Sequence, residues 1–357
     1  MIEDRTALWS PGVERLRPYV PGEQCNDPEW VKLNTNESVL GPSAKALDAI
    51  RRVAADSLRM YPDPEALALR EAIGRSHGVG IDEVFVGNGS DEVLAHAFCG
   101  LLRQPLPVLF PDVTYAFYSS YCLLYGIEHR RIPLTDDFQI DVTSYRVPNG
   151  GIVFANPNAP TGRMLALQEI VQILDANPRS VVVVDEAYID FGGISAVPLV
   201  KHHPNLLVVQ TFSKSRALAG LRVGFAIGQA PLIEALNRVK NSFNSYPLGS
   251  LAMAGAVAAI DDGAHLSQVT ATTVANREEL TTGLEALGFD VLPSVANFVF
   301  ARREGRAGQG LAEGLRARKI LVRHFDQPRM ADFLRITVGT RAQCHALLAA
   351  LAEMLGA

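Results

Sequence analysis

The feature that most constrains the fold of this 357-residue sequence is a regular alternation of short apolar runs with helical patterns between about residues 40 and 260. The runs lie at residues 84–86, 107–110, 151–154, 181–184, 206–210 and 223–227. Continuous runs rich in β-branched residues are typical of strands buried on both faces, and strands that alternate with helices favour a parallel sheet. The sequence therefore predicts an α/β fold built on a mostly parallel sheet covered by helices.

The chain divides into three predicted parts. Residues 1–30 are rich in proline and are expected to form an extended arm, and residues 31–262 carry the alternating pattern of a large domain. Residues 263–357 begin with a helical pattern and continue with strand candidates at 297–301 and 333–338 and a final helix at 341–355. This order predicts a smaller α+β domain, against which the arm packs.

Composition excludes several classes of partner. A net charge of −5 argues against nucleic acid or an anionic membrane as the main partner. The apolar segment 251–260 is too short to cross a bilayer and predicts a core helix, and residues 1–5 do not resemble a secretory signal. The four cysteines lie far apart without metal-ligand spacing, which predicts reduced thiols, no metal site and a cytoplasmic protein.

The segment 208–224 carries the chemistry expected of a Schiff-base site. It places Lys214 at the end of an apolar strand, near Thr211, Ser213 and Arg222. A lysine whose neutral amine is available attacks aldehydes, while hydroxyls and a guanidinium bind phosphate. A cofactor that has both an aldehyde and a phosphate is pyridoxal 5′-phosphate. The alternative is an ordinary surface lysine in a strand-to-loop turn.

A second segment, residues 181–188, supplies an acid for such a cofactor. Four valines lead directly into Asp185, and Tyr188 follows three positions later. Ligands of open α/β sheets bind beyond the carboxyl ends of the strands, where Asp185 can pair with a protonated pyridine nitrogen. Tyr188 is then close enough to donate to the ring oxygen. The alternative for Asp185 is a helix N-cap.

A glycine turn at residues 87–89 predicts a phosphate cradle, because it lies between a strand and a helix that begins near Ser90 and Asp91. A dinucleotide fingerprint needs a third glycine where this chain has Glu92, which disfavours a nicotinamide-dependent oxidoreductase. The alternative is a tight turn in which Ser90 or Asp91 caps the helix. A further loop, residues 156–162, contains two prolines and a glycine that predict a rigid, functional connection.

These motifs occur together in an order that resembles one protein family. The sequences Gly-Asn-Gly-Ser-Asp-Glu, Asn-Pro-Asn-Ala-Pro-Thr-Gly, Val-Asp-Glu-Ala-Tyr, Thr-Phe-Ser-Lys and Ala-Gly-Leu-Arg-Val-Gly resemble those of the fold-type I pyridoxal-phosphate aminotransferases. Within them, the chain most resembles the histidinol-phosphate aminotransferases. The resemblance runs from about Tyr19 to Arg341, and the combination is far more specific than any single motif.

The resemblance implies a role for each matching residue. Lys214 is expected to form the Schiff base, Asp185 to meet the pyridine nitrogen and Tyr188 to bond the ring oxygen. Tyr115 is expected to stack on the ring, and Tyr61 to reach the cofactor phosphate of the neighbouring subunit in a homodimer. The remaining phosphate contacts are expected from the backbone of Ser90 and Asp91 and from Thr211, Ser213 and Arg222.

One position departs from the family pattern. The residue before Pro-Thr-Gly is usually an asparagine that bonds the ring oxygen, and here it is Ala159. Either Asn158 replaces it through a small shift of the loop, or Tyr188 makes that bond alone. We favour Asn158.

The distal part of the substrate site is predicted from fewer signals. A histidinol-phosphate enzyme must accept both a phosphate and the second carboxylate of glutamate, which calls for cations. The candidates are Arg323 and Arg335 with Tyr19, and Asn36 resembles a residue at the family's site entrance. Alternation along residues 334–338 places Arg335 on the strand face opposite the apolar residues. The alternatives are an arginine on a solvated sheet face and, for Asn36, a simple turn residue.

The resemblance implies transamination of small-molecule amino and keto acids. The expected reaction converts L-histidinol phosphate and 2-oxoglutarate to imidazole-acetol phosphate and L-glutamate. Alternatives within the same fold are an aromatic amino-acid aminotransferase and a threonine-phosphate-type decarboxylase. A non-catalytic regulator is disfavoured, because the aminotransferase-like region leaves no room for a DNA-reading module.

Overall fold

A computed structural model describes residues 8–25 and 27–356 of the chain, so the expectation for residues 1–5 and part of the predicted arm lie outside the described residues. The helices are α1 (Ala44–Arg52), α2 (Leu67–His77), α3 (Gly89–Gly100), α4 (Phe117–Tyr125), α5 (Leu167–Ala176), α6 (Ala230–Phe243), α7 (Ser250–Ile260), α8 (Gly263–Ala286), α9 (Gly308–Ala317) and α10 (Arg341–Leu355). The strands are β1 (Val31–Lys32), β2 (Val84–Asn88), β3 (Val108–Pro111), β4 (His129–Ile132), β5 (Gly151–Ala155), β6 (Val182–Asp185), β7 (Leu206–Thr211), β8 (Val223–Gly228), β9 (Asp290–Leu292), β10 (Phe298–Arg302), β11 (Ile320–Leu321), β12 (Arg323–His324) and β13 (Phe333–Thr337).

A seven-stranded sheet forms the centre of the molecule, in the order β2-β8-β7-β6-β5-β3-β4. Strands β3 to β7 are parallel to their neighbours within this set, whereas β8 runs antiparallel to both β7 and β2. The prediction of a mostly parallel α/β sheet is therefore confirmed, and all six apolar runs are strands of it. The edge strand β4 escaped prediction because its sequence, His-Arg-Arg-Ile, is largely polar.

Two apolar cores cover the faces of this sheet. Along β6, Val182 and Val184 pack into one core and Val183 into the other, as expected for a strand buried on both faces. Helices α2, α5 and α7 contribute to the first core, and α3, α4 and α6 contribute to the second. Helix α7 is the core helix predicted at residues 251–260. No helix in the two described ranges is long and apolar enough to cross a membrane.

The C-terminal part contains a four-stranded antiparallel sheet in the order β12-β13-β10-β9. Helices α8, α9 and α10 pack a third core against it. The short strand β1 pairs in parallel with β11, and Leu33 is buried in the same third core. Residues 31–33 therefore pack with the C-terminal part, although the sequence pattern groups them with the large domain. The division of the chain at residues 30 and 262 stays a prediction.

A close approach between β8 and the start of α3 determines where that helix begins. Gly224 lies opposite Gly87 on β2 and opposite Thr211 on β7. A Cβ atom at position 224 would lie 2.5 Å from the carbonyl carbon of Gly89 and 2.8 Å from the Cα of Ser90. Since real Cβ atoms do not approach backbone this closely, only glycine allows the helix to lie against the sheet here.

We expect Gly224→Ala to lower the free energy of unfolding by about 1–3 kcal/mol, because the added methyl group overpacks rigid backbone. Gly263→Ala is the matched control, since a Cβ atom at that position meets nothing within 4 Å. Denaturant-induced unfolding followed by circular dichroism measures both variants. Equal stabilities of the two variants would contradict the proposed packing constraint.

Candidate active site

A cavity of about 360 Å³ opens at the carboxyl ends of the central strands, within the size range of small-molecule sites. It is bounded by residues of both sheets and by part of the N-terminal arm. The structure brings most of the predicted site residues to this cavity, namely Tyr19, Asn36, Ser90, Asp91, Tyr115, Asp185, Tyr188, Thr211, Ser213, Lys214, Arg222, Arg323 and Arg335. Asn158 and Tyr61 are absent from its lining.

Lys214 lies in the turn between β7 and β8, on the wall of the cavity. Its Nζ donates to the backbone oxygen of Thr35 at 3.3 Å and lies 5.6 Å from the centre of the Tyr188 ring. A weak bond to a neutral carbonyl leaves this amine available to a ligand in the cavity. The geometry is therefore compatible with a nucleophilic lysine.

Asp185 is a buried carboxylate at the last residue of β6. The hydroxyl of Tyr118 donates to Oδ2 at 2.9 Å, and the backbone N–H of Ala187 donates to Oδ1 at 3.2 Å. Burial raises the pKa of Asp185 to about 6, against the opposing effect of these two bonds and of Lys214. A cation placed beside this carboxylate would recover the cost of burying its charge.

Sequence reasoning missed Tyr118. This residue lies in α4, completely buried among apolar side chains, and its only local signal is that of a core aromatic. Burial raises the pKa of its phenol well above the usual value, so it remains a hydrogen-bond donor.

The start of α3 and the turn before β8 form an anion-binding region. Arg222 adopts a left-handed backbone conformation, with φ of 53°, and its Nη2 lies 2.9 Å from Oδ2 of Asp91. The hydroxyl of Tyr115 donates to Oδ1 of the same carboxylate at 2.9 Å. On the neighbouring turn, the backbone N–H of Ser213 donates to Oγ1 of Thr211 at 3.1 Å. The Arg222 guanidinium, the hydroxyls of Thr211 and Ser213 and the N-terminus of α3 therefore lie together where a phosphate can bind.

The loop at residues 156–162 does not bring Asn158 into the cavity. The Nδ2 of Asn158 donates to the backbone oxygen of Val113 and to Oγ1 of Thr161, and its Oδ1 accepts a bond from Thr114. Ala159, the next residue, lines the cavity instead. The side chain of Asn158 therefore stabilises the loop from behind the wall, and its assignment to the ring oxygen stays a prediction that this geometry does not favour.

The hydroxyl of Tyr188, which lines the cavity, bonds to Asn36. The Nδ2 of Asn36 donates to the Tyr188 hydroxyl at 3.0 Å, and Asn36 also bonds Thr337 through its backbone N–H and its Oδ1. Asn36 is buried, with a left-handed φ of 56°. This residue therefore fixes the position of the phenol that faces the cavity.

Two arginines lie at the far end of the cavity. The Nη2 of Arg335 donates to the backbone oxygen of Asn34 at 2.7 Å, and its guanidinium lies between the rings of Phe298 and Phe325 at 5.5 and 5.6 Å. Arg323 lies 5.4 Å from the ring of Phe325. Burial lowers the pKa of Arg335, and its buried Nε has no hydrogen-bond partner in the described structure. Two guanidinium groups that line one end of the cavity can bind an acidic ligand.

Tyr61 is far more exposed than the other predicted site residues. Its side chain is 83% exposed and stacks on Tyr246, with ring centres 4.7 Å apart. This position can reach another chain but not this cavity. The expected contact with a neighbouring subunit stays a prediction.

A second buried carboxylate, Glu186, follows Asp185 and holds the next loop. It accepts bonds from the Ser195 hydroxyl, the Ala196 backbone N–H and the Gln210 amide at 2.6, 2.6 and 2.8 Å. Burial raises the pKa of Glu186 from 4.5 to about 7, and Asp190 adds to this effect. The sequence analysis did not single out Glu186, because an acid after Asp185 has the appearance of a solvated turn residue.

We expect the stability advantage of the wild type over Glu186→Gln to fall as the pH rises from about 4.5 to 7. In this window the folded state keeps a proton on Glu186 that the unfolded state has lost, so deprotonation favours unfolding. Between pH 4.5 and 7, the difference in the free energy of unfolding between the wild type and Glu186→Gln should fall by about 2–3 kcal/mol. Urea unfolding of the cofactor-free protein at several pH values measures it. Glu71→Gln, at an exposed position, is the control. If the free energy of unfolding had the same pH dependence in the wild type and in Glu186→Gln, the raised pKa of Glu186 would be contradicted.

Comparison with known proteins places these residues in context. Residues 28–351 match the family described as aminotransferase class I and II. Histidinol-phosphate aminotransferase 2 of Rhizobium meliloti is 61% identical over 348 residues, which cover 98% of this chain and 99% of the relative. Histidinol-phosphate aminotransferase 2 of Thiobacillus denitrificans is 61% identical over 344 residues, 96% of each chain. A crystal structure of histidinol-phosphate aminotransferase from Sinorhizobium meliloti in complex with pyridoxal-5′-phosphate has a TM-score of 0.88 at 25% identity, over 98% of both chains.

Proposed function

The chain belongs to the aminotransferase class I and II family, and on that premise we propose that it transfers the amino group of L-histidinol phosphate to 2-oxoglutarate. The products are imidazole-acetol phosphate and L-glutamate, a step of histidine synthesis. The observation that carries this proposal is the content of one cavity: a lysine, a buried aspartate and an anion-binding region at one end, and two arginines at the other. The near full-length relatives named for this reaction support the choice of substrate.

Pyridoxal 5′-phosphate fits the near end of the cavity. Lys214 would hold its aldehyde carbon, Asp185 would pair with its ring nitrogen, and Arg222 would hold its phosphate together with Thr211, Ser213 and the start of α3. The raised pKa of Asp185 supports this assignment, because a protonated ring nitrogen compensates a buried negative charge. When bound, the cofactor supplies an electron sink that stabilises negative charge at the substrate α-carbon.

The protein groups then have separate tasks in the reaction. Once the substrate amine has taken the place of Lys214 on the cofactor, the released Lys214 Nζ would act as the general base: it would accept the proton that leaves the substrate α-carbon and pass it to the C4′ carbon of the cofactor. Tyr118 keeps Asp185 charged by donating to Oδ2, and Asn36 orients the Tyr188 hydroxyl toward the cavity. Tyr115 covers the anion-binding region while its hydroxyl holds Asp91. Arg222 would hold the phosphate while it also pairs with the Asp91 carboxylate.

The distal arginines account for the choice of two different substrates. Histidinol phosphate carries a phosphate far from its amine, and glutamate carries a second carboxylate. Arg323 and Arg335 line this end of the cavity and can present guanidinium donors to either group. One cationic site therefore serves both halves of a ping-pong reaction.

We also propose a homodimer in the cytoplasm. Three aromatic side chains, Tyr61, Phe243 and Tyr246, are 83%, 79% and 42% exposed, which supports burial of this surface against a second subunit. The contact brings Tyr61 to the phosphate of its neighbour. All four cysteines are free thiols, which supports a reducing compartment.

We expect Lys214→Ala to abolish amino transfer from histidinol phosphate and to remove the visible absorbance of the lysine-bound cofactor, because no other amine takes its place. Lys201→Ala, at an exposed lysine, should retain both properties. A visible spectrum, followed by titration with histidinol phosphate, measures both. Substantial turnover in the Lys214 variant would refute its assignment, and release of carbon dioxide from threonine phosphate by the wild type would favour a decarboxylase.

We expect Arg323→Gln to lower kcat/KM for histidinol phosphate and for glutamate by about 10- to 100-fold, since a charged hydrogen bond is lost. The value for phenylalanine, which has no distal anion, should change by less than about threefold. Arg302→Gln is the control, because Arg302 lies on the same small sheet, pairs with Asp290 and does not line the cavity. An equal loss for all three substrates would exclude an anion-specific role of Arg323.

A further inference from the structure

The N-terminal arm forms one wall of the substrate end of the cavity. Tyr19, Pro21, Gly22 and Gln24 all line it. The ring of Tyr19 packs against Phe117 with centres 4.8 Å apart and lies 6.2 Å from the ring of Tyr115. The position of residues 19–25 therefore determines how much of the substrate the protein encloses.

On the cavity side, Arg323 holds this arm by bonds that a substrate would weaken. Its guanidinium donates to the backbone oxygens of Val20 and Pro21 at 3.2 and 3.4 Å. Under the proposed function, the same guanidinium binds the distal anion of the substrate. Hydrogen bonds to an anion are about twice as strong as those to a neutral carbonyl. Substrate binding would thus compete with the arm for the donors of Arg323.

A second arginine, Arg316, holds the arm through Glu23. Arg316, at the end of α9, donates from Nε and Nη2 to the two carboxylate oxygens of Glu23 at 3.1 and 2.8 Å. The same guanidinium lies 5.6 Å from the ring of Trp30. It also holds the pKa of Glu23 below its usual value. This two-pronged geometry fixes the direction of the arm as well as its distance from α9.

The Glu23–Arg316 ion pair borders an open cavity. A cavity of about 270 Å³ lies between the arm and α9, and Glu23, Arg316 and Arg323 are among its lining residues. The arm thus spans a gap at this point. Glu23 is also linked to the substrate end of the cavity through Asn34. The Nδ2 of Asn34 donates to the Glu23 backbone oxygen at 2.8 Å, and the backbone oxygen of Asn34 accepts a bond from Arg335 at 2.7 Å.

We propose that the Glu23–Arg316 pair is a positioning element. It keeps residues 19–25, including the Tyr19 ring, over the substrate when Arg323 binds the substrate anion. The inference rests on the proposed function for the role of Arg323. Glu23 and Arg316 touch neither cofactor nor substrate, and they act through the arm. The pair therefore affects substrate affinity and leaves the chemical step unchanged.

The test is a double-mutant cycle of Glu23→Gln and Arg316→Gln. Each single variant should raise the KM for histidinol phosphate about two- to fivefold, the range expected of a half-exposed ion pair, with kcat within about twofold of the wild type. The double variant should be no worse than either single variant, since both remove the same interaction. High salt should reduce the ratio between the KM of each single variant and that of the wild type, because it screens the ion pair that the variants lack.

Cleavage by chymotrypsin after Tyr19, resolved by mass spectrometry, gives a readout that needs no turnover, because the Tyr19 ring is packed against Phe117 while the arm is closed. In the substrate-free and cofactor-free protein that carries Arg323→Gln, which removes the other arginine that holds the arm, cleavage should be faster with Glu23→Gln or Arg316→Gln than without them. The matched control is the pair Arg318–Glu353, which joins the end of α9 to α10 at 2.8 Å, away from the arm. Arg318→Gln and Glu353→Gln should leave both the KM and the rate of cleavage after Tyr19 unchanged.

The outcomes separate this inference from the proposed function. An unchanged rate of cleavage after Tyr19 on adding Glu23→Gln or Arg316→Gln would overturn the inference whether or not the protein turns over histidinol phosphate. Faster cleavage with an unchanged KM, or a loss confined to kcat, would overturn it as well. A wild type without amino transfer from histidinol phosphate would refute the proposed function, while the cleavage rates would still decide whether the pair holds the arm.

Discussion

The alignment of strand ends at one edge of the central sheet is the constraint on which the site depends. Parallel pairing places Asp185 of β6 beside Val209 of β7, and antiparallel pairing places Thr211 opposite Gly224 of β8. The buried acid and the turn that carries Lys214 therefore face the same cavity. Neither position results from local sequence alone, because each follows from the register of strands that are buried on both faces.

Much of this arrangement could be predicted because its signals are local. Continuous apolar runs predict buried strands; Asp185 follows one such run directly, and Lys214 lies in the turn after another. The edge strand β4 has no apolar run, and strand β1 has two residues whose partners lie at the other end of the chain. The pairing of β1 joins residues that are far apart in the sequence, so it depends on the tertiary fold. A local sequence pattern cannot predict it.

The residues around the predicted site show the same limit. Tyr118 has the sequence signal of a core aromatic, yet its hydroxyl meets Asp185. Asn158 has the residue type expected of a ring-oxygen ligand, but the loop directs its amide toward Val113 and Thr161. In both cases the side chain's partner is fixed by tertiary geometry. Residue type alone predicts which chemistry is possible, and the backbone decides which atom performs it.

The reversed direction of β8 has a consequence for how such a site can vary during evolution. Because β7 ends at the cavity edge and β8 begins there, a single connection of 11 residues, 212–222, carries both the Lys214 amine and the Arg222 guanidinium. An insertion or deletion in that connection would displace at least one of the two groups relative to Asp185. The length of this connection is therefore constrained as one unit.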